Sequence, residues 1–182
     1  VKEKRVNMYK VFQIKINKEV HNFVNSNDRG HVGAEEKYPI YEAYMRLSHS
    51  LREETVFNDT DFQHYTHVCS VKKDAGLVAG TRTTDPFVID DLEEIFKVLN
   101  GFYYDDESGE DVVFDAHVSD YKMKTVTRKD GEVVTFRDMH SLSVGDVIQD
   151  VDNGTFHIVA SWGFKDVTEQ VKNYVEQSLE VA

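Results

Sequence analysis

Two histidines and the single cysteine of this 182-residue chain lie close together, at His64, His67 and Cys69. Zinc sites use imidazole and thiolate groups at short, regular spacings. Apolar alternation over residues 62–71 predicts a strand, and on a strand two positions three apart face opposite sides. No second cysteine and no acid–histidine pair completes a zinc spacing. We therefore predict no metal site and interpret both histidines as partly exposed sheet residues.

Nucleophilic and phosphate-binding chemistry have only weak signals in the sequence. Cys69 lies in an apolar run, where a free cysteine typically packs as a small buried hydrophobe. A loop over residues 74–86 contains Arg82 and Thr83, which could contact a phosphate, yet the chain has no P-loop, G-x-G-x-x-G or G-x-S-x-G motif. We expect no catalytic residue and no cofactor. The alternative is an enzyme or small-ligand protein that acts on a nucleotide or modified base through Arg82, Thr83 and the histidines.

The acidic residues are concentrated in one part of the chain. The formal net charge is -12, and residues 85–115 hold eleven acids against one basic residue, Lys97. This stretch, the acidic segment, carries a net charge of -10, whereas residues 1–30 are net basic. Charge of one sign can steer association with a basic partner, and a solvated loop tip is the alternative interpretation. The candidate contact residues are Asp90, Asp91, Glu94, Asp105, Asp106, Glu107, Glu110 and Asp111.

Charge and composition exclude several classes of protein. A net charge of -12 argues against a general nucleic-acid coat, because phosphates must be met by lysine and arginine. One cysteine cannot form an internal disulfide and fits a reducing compartment. No apolar run approaches the about 20 residues that cross a bilayer, and no signal-peptide pattern is present. We expect a cytoplasmic protein that contacts neither membranes nor nucleic acid directly.

The most distinctive motif is H-S-L-S-V-G-D-V-I at residues 140–148, followed after a short hairpin by W-G-F-K-D-V at residues 162–167. The serines can bond the backbone of a turn, and glycine permits a tight entry into the following strand. A second glycine allows a bend before an aromatic residue returns to the core. We interpret the motif as structural, and its key positions are Ser141, Ser143, Gly145, Asp146, Gly163 and Phe164.

This motif resembles the H-S-(L/M)-S-V-G-D-(V/I)-(I/V) block and the closing G-F-K-(D/E)-(V/I) of YodL-like proteins of mobile elements. It also resembles related small proteins of tailed bacteriophages, notably those of marine cyanobacteria. Residues 8–14, 65–68 and 92–100 are also similar, whereas the acidic insertion around residues 105–115 and Trp162 depart from the pattern. The resemblance implies a phage or mobile-element accessory protein made in a bacterial cytoplasm. It brings no catalytic residue.

Local patterns predict the elements that must position these residues. Residues 9–16 alternate like a strand, and Asn17 is placed to cap a short helix that the turn-rich residues 25–33 end. Pro39 suits the first turn of a second helix that runs to about Leu51. Residues 90–99 carry apolar side chains at helical spacing and predict a third helix.

The C-terminal half is predicted to form mostly strands and hairpins. Asp130-Gly131 and Asp152-Asn153-Gly154 are turn sequences that tolerate positive φ, and Thr168 is placed to cap a final helix. The predicted strands are 112–118, 121–128, 132–137, 146–151 and 155–161. We predict one α+β domain over residues 1–182, with a mostly antiparallel sheet covered by two to four helices. The polar residues 1–7 are left out of this fold.

These patterns together predict a binding protein. We expect a non-enzymatic accessory protein, of the host-takeover or anti-defence type, that binds a host macromolecule through the acidic segment. The expected partner is a host protein with a basic or nucleic-acid-binding surface, because opposite charge steers such an encounter. A minor virion component is a further alternative.

Overall fold

The structure is a computed structural model that describes residues 8–26, 28–49, 51–76, 87–88, 91–100, 103–105, 110–112, 123–127, 129–137 and 139–181. The strands are β1 (Met8–Ile14), β2 (Tyr65–Lys72), β3 (Asp74–Gly76), β4 (Phe87–Val88), β5 (Tyr103–Asp105), β6 (Glu110–Val112), β7 (Met123–Thr127), β8 (Val133–Arg137), β9 (Val147–Asp150), β10 (Thr155–Val159) and β11 (Phe164–Asp166). The α-helices are α1 (Lys18–Ser26), α2 (Gly30–Lys37), α3 (Pro39–Tyr44), α4 (Leu92–Leu99) and α5 (Thr168–Val181). A π-helix covers Met45–His49 and a 3₁₀-helix covers Asp61–His64.

Five of the strands form an antiparallel sheet in the order β11-β10-β9-β1-β2. The other six form the antiparallel pairs β3-β4, β5-β6 and β7-β8. The predicted α+β class, with hairpins in the C-terminal half, is confirmed. Within the described residues, no helix is both long and apolar enough to span a membrane.

The backbone divides into two compact units, which we describe separately. The first unit comprises Val1–Val11, His67–Leu142 and Gln149–Gly154, and the second comprises Phe12–Thr66, Ser143–Ile148 and Thr155–Ala182. That residues 1–182 form one domain stays a prediction.

The second unit is built around an apolar core that its sheet strands share with α3, the π-helix and α5. Phe62, at the 3₁₀-helix, contacts four aromatic rings, with centroid distances of 5.2 Å to Phe12 and 5.7 Å to Phe156. Edge-to-face ring pairs of this kind add about 0.5–1.5 kcal/mol to the burial of their area. The buried core residues are Ile14, Ala43, Leu47, Leu51, Phe57, Val147, Ile158, Val167 and Val171.

The three N-terminal helices of the second unit form a smaller apolar cluster around Val20, Ala34 and Tyr41. The predicted cap of α1 is confirmed, since Asn17 Oδ1 accepts the Val20 backbone N–H at 3.0 Å. The prediction of turns up to residue 33 was wrong, because α2 begins at Gly30. Its small residues are buried against neighbouring elements, so tertiary packing stabilises a helix that has no apolar stripe of its own.

Other element boundaries also differ from the sequence predictions. The helix from Pro39 is α-helical only to Tyr44 and continues as the π-helix. The strand predicted over residues 62–71 begins at Tyr65, after the 3₁₀-helix. The loop predicted over residues 74–86 begins with β3, and its residues 77–86 lie outside the described residues. Most of the strand predicted over residues 112–118 lies outside them as well.

The predicted start of the last helix is correct, but its cap is not Thr168. The Thr168 backbone N–H donates to Asp166 Oδ1 at 2.8 Å, so the aspartate satisfies a free donor of the first turn. The Thr168 hydroxyl instead accepts the Phe156 backbone N–H at 2.9 Å, which ties α5 to β10.

Candidate functional site

The hairpin β5-β6 of the first unit places acidic residues of the acidic segment opposite one another. Asp105 pairs with Glu110 across the two strands, and Asp111 pairs with Tyr104. Like charges directly opposite on an antiparallel pair repel and destabilise it. The register therefore places two acidic positions of the sequence opposite each other at the end of the hairpin.

The remaining residues of the predicted acidic surface are only partly described. Asp91 is exposed and immediately precedes α4, and Glu94 lies in the first turn of that helix. Asp90, Asp106 and Glu107 lie outside the described residues. The contact role of the acidic segment therefore stays a prediction.

The histidines predicted to lie on one strand belong to different elements. His64 ends the 3₁₀-helix, and burial lowers the pKa of its imidazole, although the Asp61 and Glu42 carboxylates oppose that shift. His67 lies on β2, where its Nε2 is 3.1 Å from Ser70 Oγ. No group of three or more histidine, cysteine or acidic residues that could hold a metal ion occurs in the described part of the chain.

Of the residues considered for nucleophilic and phosphate-binding chemistry, the structure describes Cys69 but not Arg82 or Thr83. Cys69 is fully buried in β2, as expected for a small hydrophobe. Arg82 and Thr83, the phosphate contacts of the alternative hypothesis, lie outside the described residues.

The motif at residues 140–148 forms a turn held together by a buried carboxylate. Asp146 Oδ2 accepts the Gln13 side-chain amide at 3.0 Å and the Ser143 backbone N–H at 2.9 Å. The Tyr65 hydroxyl donates to the Gly145 carbonyl oxygen at 2.6 Å. Burial strongly raises the pKa of the Tyr65 hydroxyl, which keeps it protonated as a donor. Ser141, in contrast, is exposed.

Gly145 is required at its position for two reasons. Its φ of +92° is one that residues with a side chain rarely adopt. A Cβ atom built there would lie 2.5 Å from Ser48 Oγ and 2.8 Å from the Leu47 carbonyl oxygen. The motif thus seats its turn directly against the π-helix.

The second part of the motif forms the tight connection between β10 and β11. Val159 pairs with Phe164, and the Ala160 backbone N–H donates to the Gly163 carbonyl oxygen at 3.0 Å. Gly163 has a φ of +68°, which supplies the predicted bend before Phe164. Trp162 immediately precedes Gly163 in this connection and is 95% exposed.

A cavity of about 380 Å³ lies beside this turn, entirely within the second unit. Residues 51–53 line one side, and residues 160–162 and Lys165 line the other. Lys165 Nζ donates to the Arg52 and Glu53 carbonyl oxygens at 2.7 and 2.6 Å, and Ser161 Oγ donates to the Leu51 carbonyl oxygen at 3.0 Å. These bonds fix the two walls to each other. Sequence reasoning missed the cavity, although Trp162 had already departed from the resembled pattern.

Sequence reasoning also missed two charged clusters. In the first unit, Lys73 Nζ lies 2.7 Å from Asp150 Oδ1, 3.0 Å from Asp152 Oδ2 and 4.5 Å from the centre of the Tyr9 ring. The carboxylates raise the pKa of Lys73 despite its partial burial, so the amine stays protonated and is a poor nucleophile. This cluster stabilises the β9-β10 turn.

The second charged cluster is in the second unit. Arg46 Nη2 lies 2.6 Å from Asp61 Oδ1, and Arg46 Nε lies 2.8 Å from Glu42 Oε1. Its Nη1 also donates to the Val56 carbonyl oxygen at 2.9 Å. These contacts with the Asp61 and Glu42 carboxylates and the Val56 carbonyl oxygen hold the loop before the 3₁₀-helix.

Comparisons with protein-family models, with curated proteins and with solved structures found no match to this chain.

Proposed function

We propose that this protein is a non-enzymatic accessory protein of a phage or mobile element, active in the bacterial cytoplasm, that binds a basic surface of a host protein through the acidic segment. The observation that carries the proposal is the β5-β6 register, which sets Asp105 opposite Glu110 within a stretch of net charge -10. The resemblance of the motif at residues 140–148 to YodL-like and phage proteins supports the accessory role.

The strand register of the hairpin supports binding to a cationic partner. Two carboxylates opposite each other on neighbouring strands destabilise the pair, and a cationic surface placed over them removes that repulsion. Binding therefore relieves an unfavourable interaction of the free protein as well as adding contacts. The same charge accelerates encounter with the partner at low ionic strength.

A quantitative affinity capture tests this proposal. The tagged full chain is used as bait in a lysate of a marine cyanobacterium, at about 0.05 M and about 0.3 M salt, which screen charge to different extents. We expect one partner with a basic surface to be enriched at low salt and largely lost at high salt. A triple variant, Asp105→Asn, Glu110→Gln and Asp111→Asn, should lose it at both.

A control variant distinguishes local charge from total charge. Glu169→Gln, Glu176→Gln and Glu180→Gln remove the same number of charges from exposed positions of α5, and this variant should retain the partner. The hairpin variant removes a repulsion, so we expect its circular dichroism to match that of the unaltered protein. Equal recovery by the two triple variants would contradict the proposed surface.

A further inference from the structure

The cavity beside Trp162 has features of a ligand site. Its volume of about 380 Å³ lies within the about 300–1,000 Å³ typical of small-molecule sites. Trp162 stands at its rim with 95% of its surface exposed. Such exposure of the largest aromatic side chain leaves its flat face open for stacking.

The turn that carries Trp162 is held in place rather than free. The Ala160–Gly163 hydrogen bond closes the turn, and Ser161 Oγ anchors it to the Leu51 carbonyl oxygen. Lys165 ties the opposite wall by its two carbonyl contacts. A stacking partner would therefore meet a preorganised surface and lose little conformational entropy of the protein on binding.

The charged side chains that line the cavity differ in whether they already have hydrogen-bond or ion-pair partners. The Lys165 ammonium already donates to two carbonyl oxygens. The other arginines with described side chains form ion pairs, Arg29 with Glu36 and Arg46 with Glu42 and Asp61. Arg52 forms none within the described ranges, and it lines the cavity with the exposed Glu53. An unpaired guanidinium beside a stacking surface is suited to a phosphate.

We propose that this cavity binds a single nucleotide, with its base stacked on Trp162 and its phosphate held by Arg52. The Glu53 carboxylate accepts hydrogen bonds from an exocyclic amino group and so favours adenine over uracil. A nucleobase with a phosphate also occurs at the end of a nucleic-acid strand. The net charge of -12 disfavours a longer strand, which carries more phosphates than this site can neutralise. This site is independent of the acidic segment and goes beyond the proposed function.

The experiment uses Trp162 as its own probe, because it is the only tryptophan in the chain. Its fluorescence is titrated with AMP, UMP, adenosine, inorganic phosphate and a short oligoadenylate, with excitation at the red edge of the indole band to avoid adenine absorbance. We expect saturable quenching by AMP, weaker binding of UMP and adenosine, and no quenching by inorganic phosphate. The absence of saturable quenching by AMP in the millimolar range would overturn the proposal. Tighter binding of the oligoadenylate than of AMP would overturn the single-nucleotide assignment.

Variants assign the contacts. Arg52→Gln should weaken AMP binding about tenfold, since a charge-assisted hydrogen bond is lost, and leave adenosine binding unchanged. Arg29→Gln is the matched control. It replaces an exposed arginine immediately before α2, and this variant should bind AMP normally. Trp162→Ala should weaken AMP binding at least about fivefold by calorimetry, whereas Trp162→Phe should retain most of it. Equal AMP affinity of Arg52→Gln and Arg29→Gln would overturn the phosphate contact.

Discussion

The Gln13 side-chain amide donates to Asp146 Oδ2 at 3.0 Å, although 133 positions separate the two residues along the chain. Both side chains are buried, and the same carboxylate oxygen accepts the Ser143 backbone N–H. The Asp146 carboxylate thus stabilises the turn before β9 and also holds that turn against β1.

Replacement of this acid by alanine should strongly destabilise the protein. Asp146→Ala leaves the buried Gln13 amide and the Ser143 N–H without this acceptor, and we expect the free energy of unfolding to fall by about 3 kcal/mol. Asp146→Asn keeps an oxygen acceptor and should lose about 1 kcal/mol. Urea denaturation measures both. An Asp146→Ala protein as stable as the unaltered one would show that the carboxylate has no structural role.

Two glycines with positive φ should respond very differently to substitution. Gly145→Ala combines an unfavourable φ with contacts of the new methyl group to Ser48 and Leu47, and should destabilise the protein by about 3 kcal/mol or more. Gly154 has a φ of +64° and no atom within 4 Å of a built Cβ, so Gly154→Ala should lose only about 1 kcal/mol. Thermal unfolding of the two variants checks the difference, and equal losses would contradict it.

The ion pair of Lys73 predicts how stability depends on pH. Burial alone would raise the pKa of the Asp150 carboxyl, but hydrogen bonds from Lys73 and Asn153 outweigh burial and lower it below 3.8. A carboxyl with a lowered pKa in the folded state stabilises the protein above about pH 4, and that stabilisation is lost as the pH falls through the folded-state pKa. The raised pKa of Lys73 keeps its contribution present up to about pH 10.

The variant that tests this dependence is Lys73→Met. It should lower the free energy of unfolding by about 2 kcal/mol at pH 6, and the difference from the unaltered protein should shrink between about pH 4 and pH 2. Lys18→Met, at an exposed position, is the control and should give a small difference that does not change with pH. A Lys73→Met deficit that stays constant down to pH 2 would argue against the Asp150 pair. Urea unfolding at each pH provides the measurement.

The two arginine ion pairs of the second unit should differ in their contribution to stability. Arg46→Gln leaves the Asp61 carboxylate, whose side chain is 5% exposed, without its charged partner, and should lower the free energy of unfolding by about 3 kcal/mol. Arg29→Gln breaks an ion pair in which both side chains are about 60% exposed. This substitution should change the free energy of unfolding by no more than about 0.5 kcal/mol. Urea midpoints compare the two, and a similar effect of both substitutions would be inconsistent with the burial of Asp61.

Local patterns were sufficient for elements that are stabilised by their own residues. Asn17 caps α1, and α4 follows the apolar spacing that buries Ile95 and Leu99. The turns at Gly131 and Gly154 have the positive φ that their sequences predict. In each case, the residues that determine the conformation lie within a few positions of one another.

Elements that depend on distant residues could not be predicted in this way. The helix α2 is stabilised by the burial of Gly33 and Ala34, and no apolar periodicity in its sequence predicts that burial. The cavity beside Trp162 requires Lys165 and Ser161 to meet carbonyl groups more than 100 positions earlier. Short-range patterns contain no information on such pairs, since only the folded backbone brings them together.

β1 is an interior strand of the five-stranded sheet, between β9 and β2, and this position has a consequence for synthesis of the chain. Of the five strands of this sheet, β1 is synthesised first. Its neighbour β9 follows more than 130 residues later, as the Gln13–Asp146 separation shows. At about 5–20 residues per second, the ribosome takes about 7–27 s to supply that strand. During this time one edge of β1 has no native neighbour, so the five-stranded sheet cannot be completed until β9 has been synthesised.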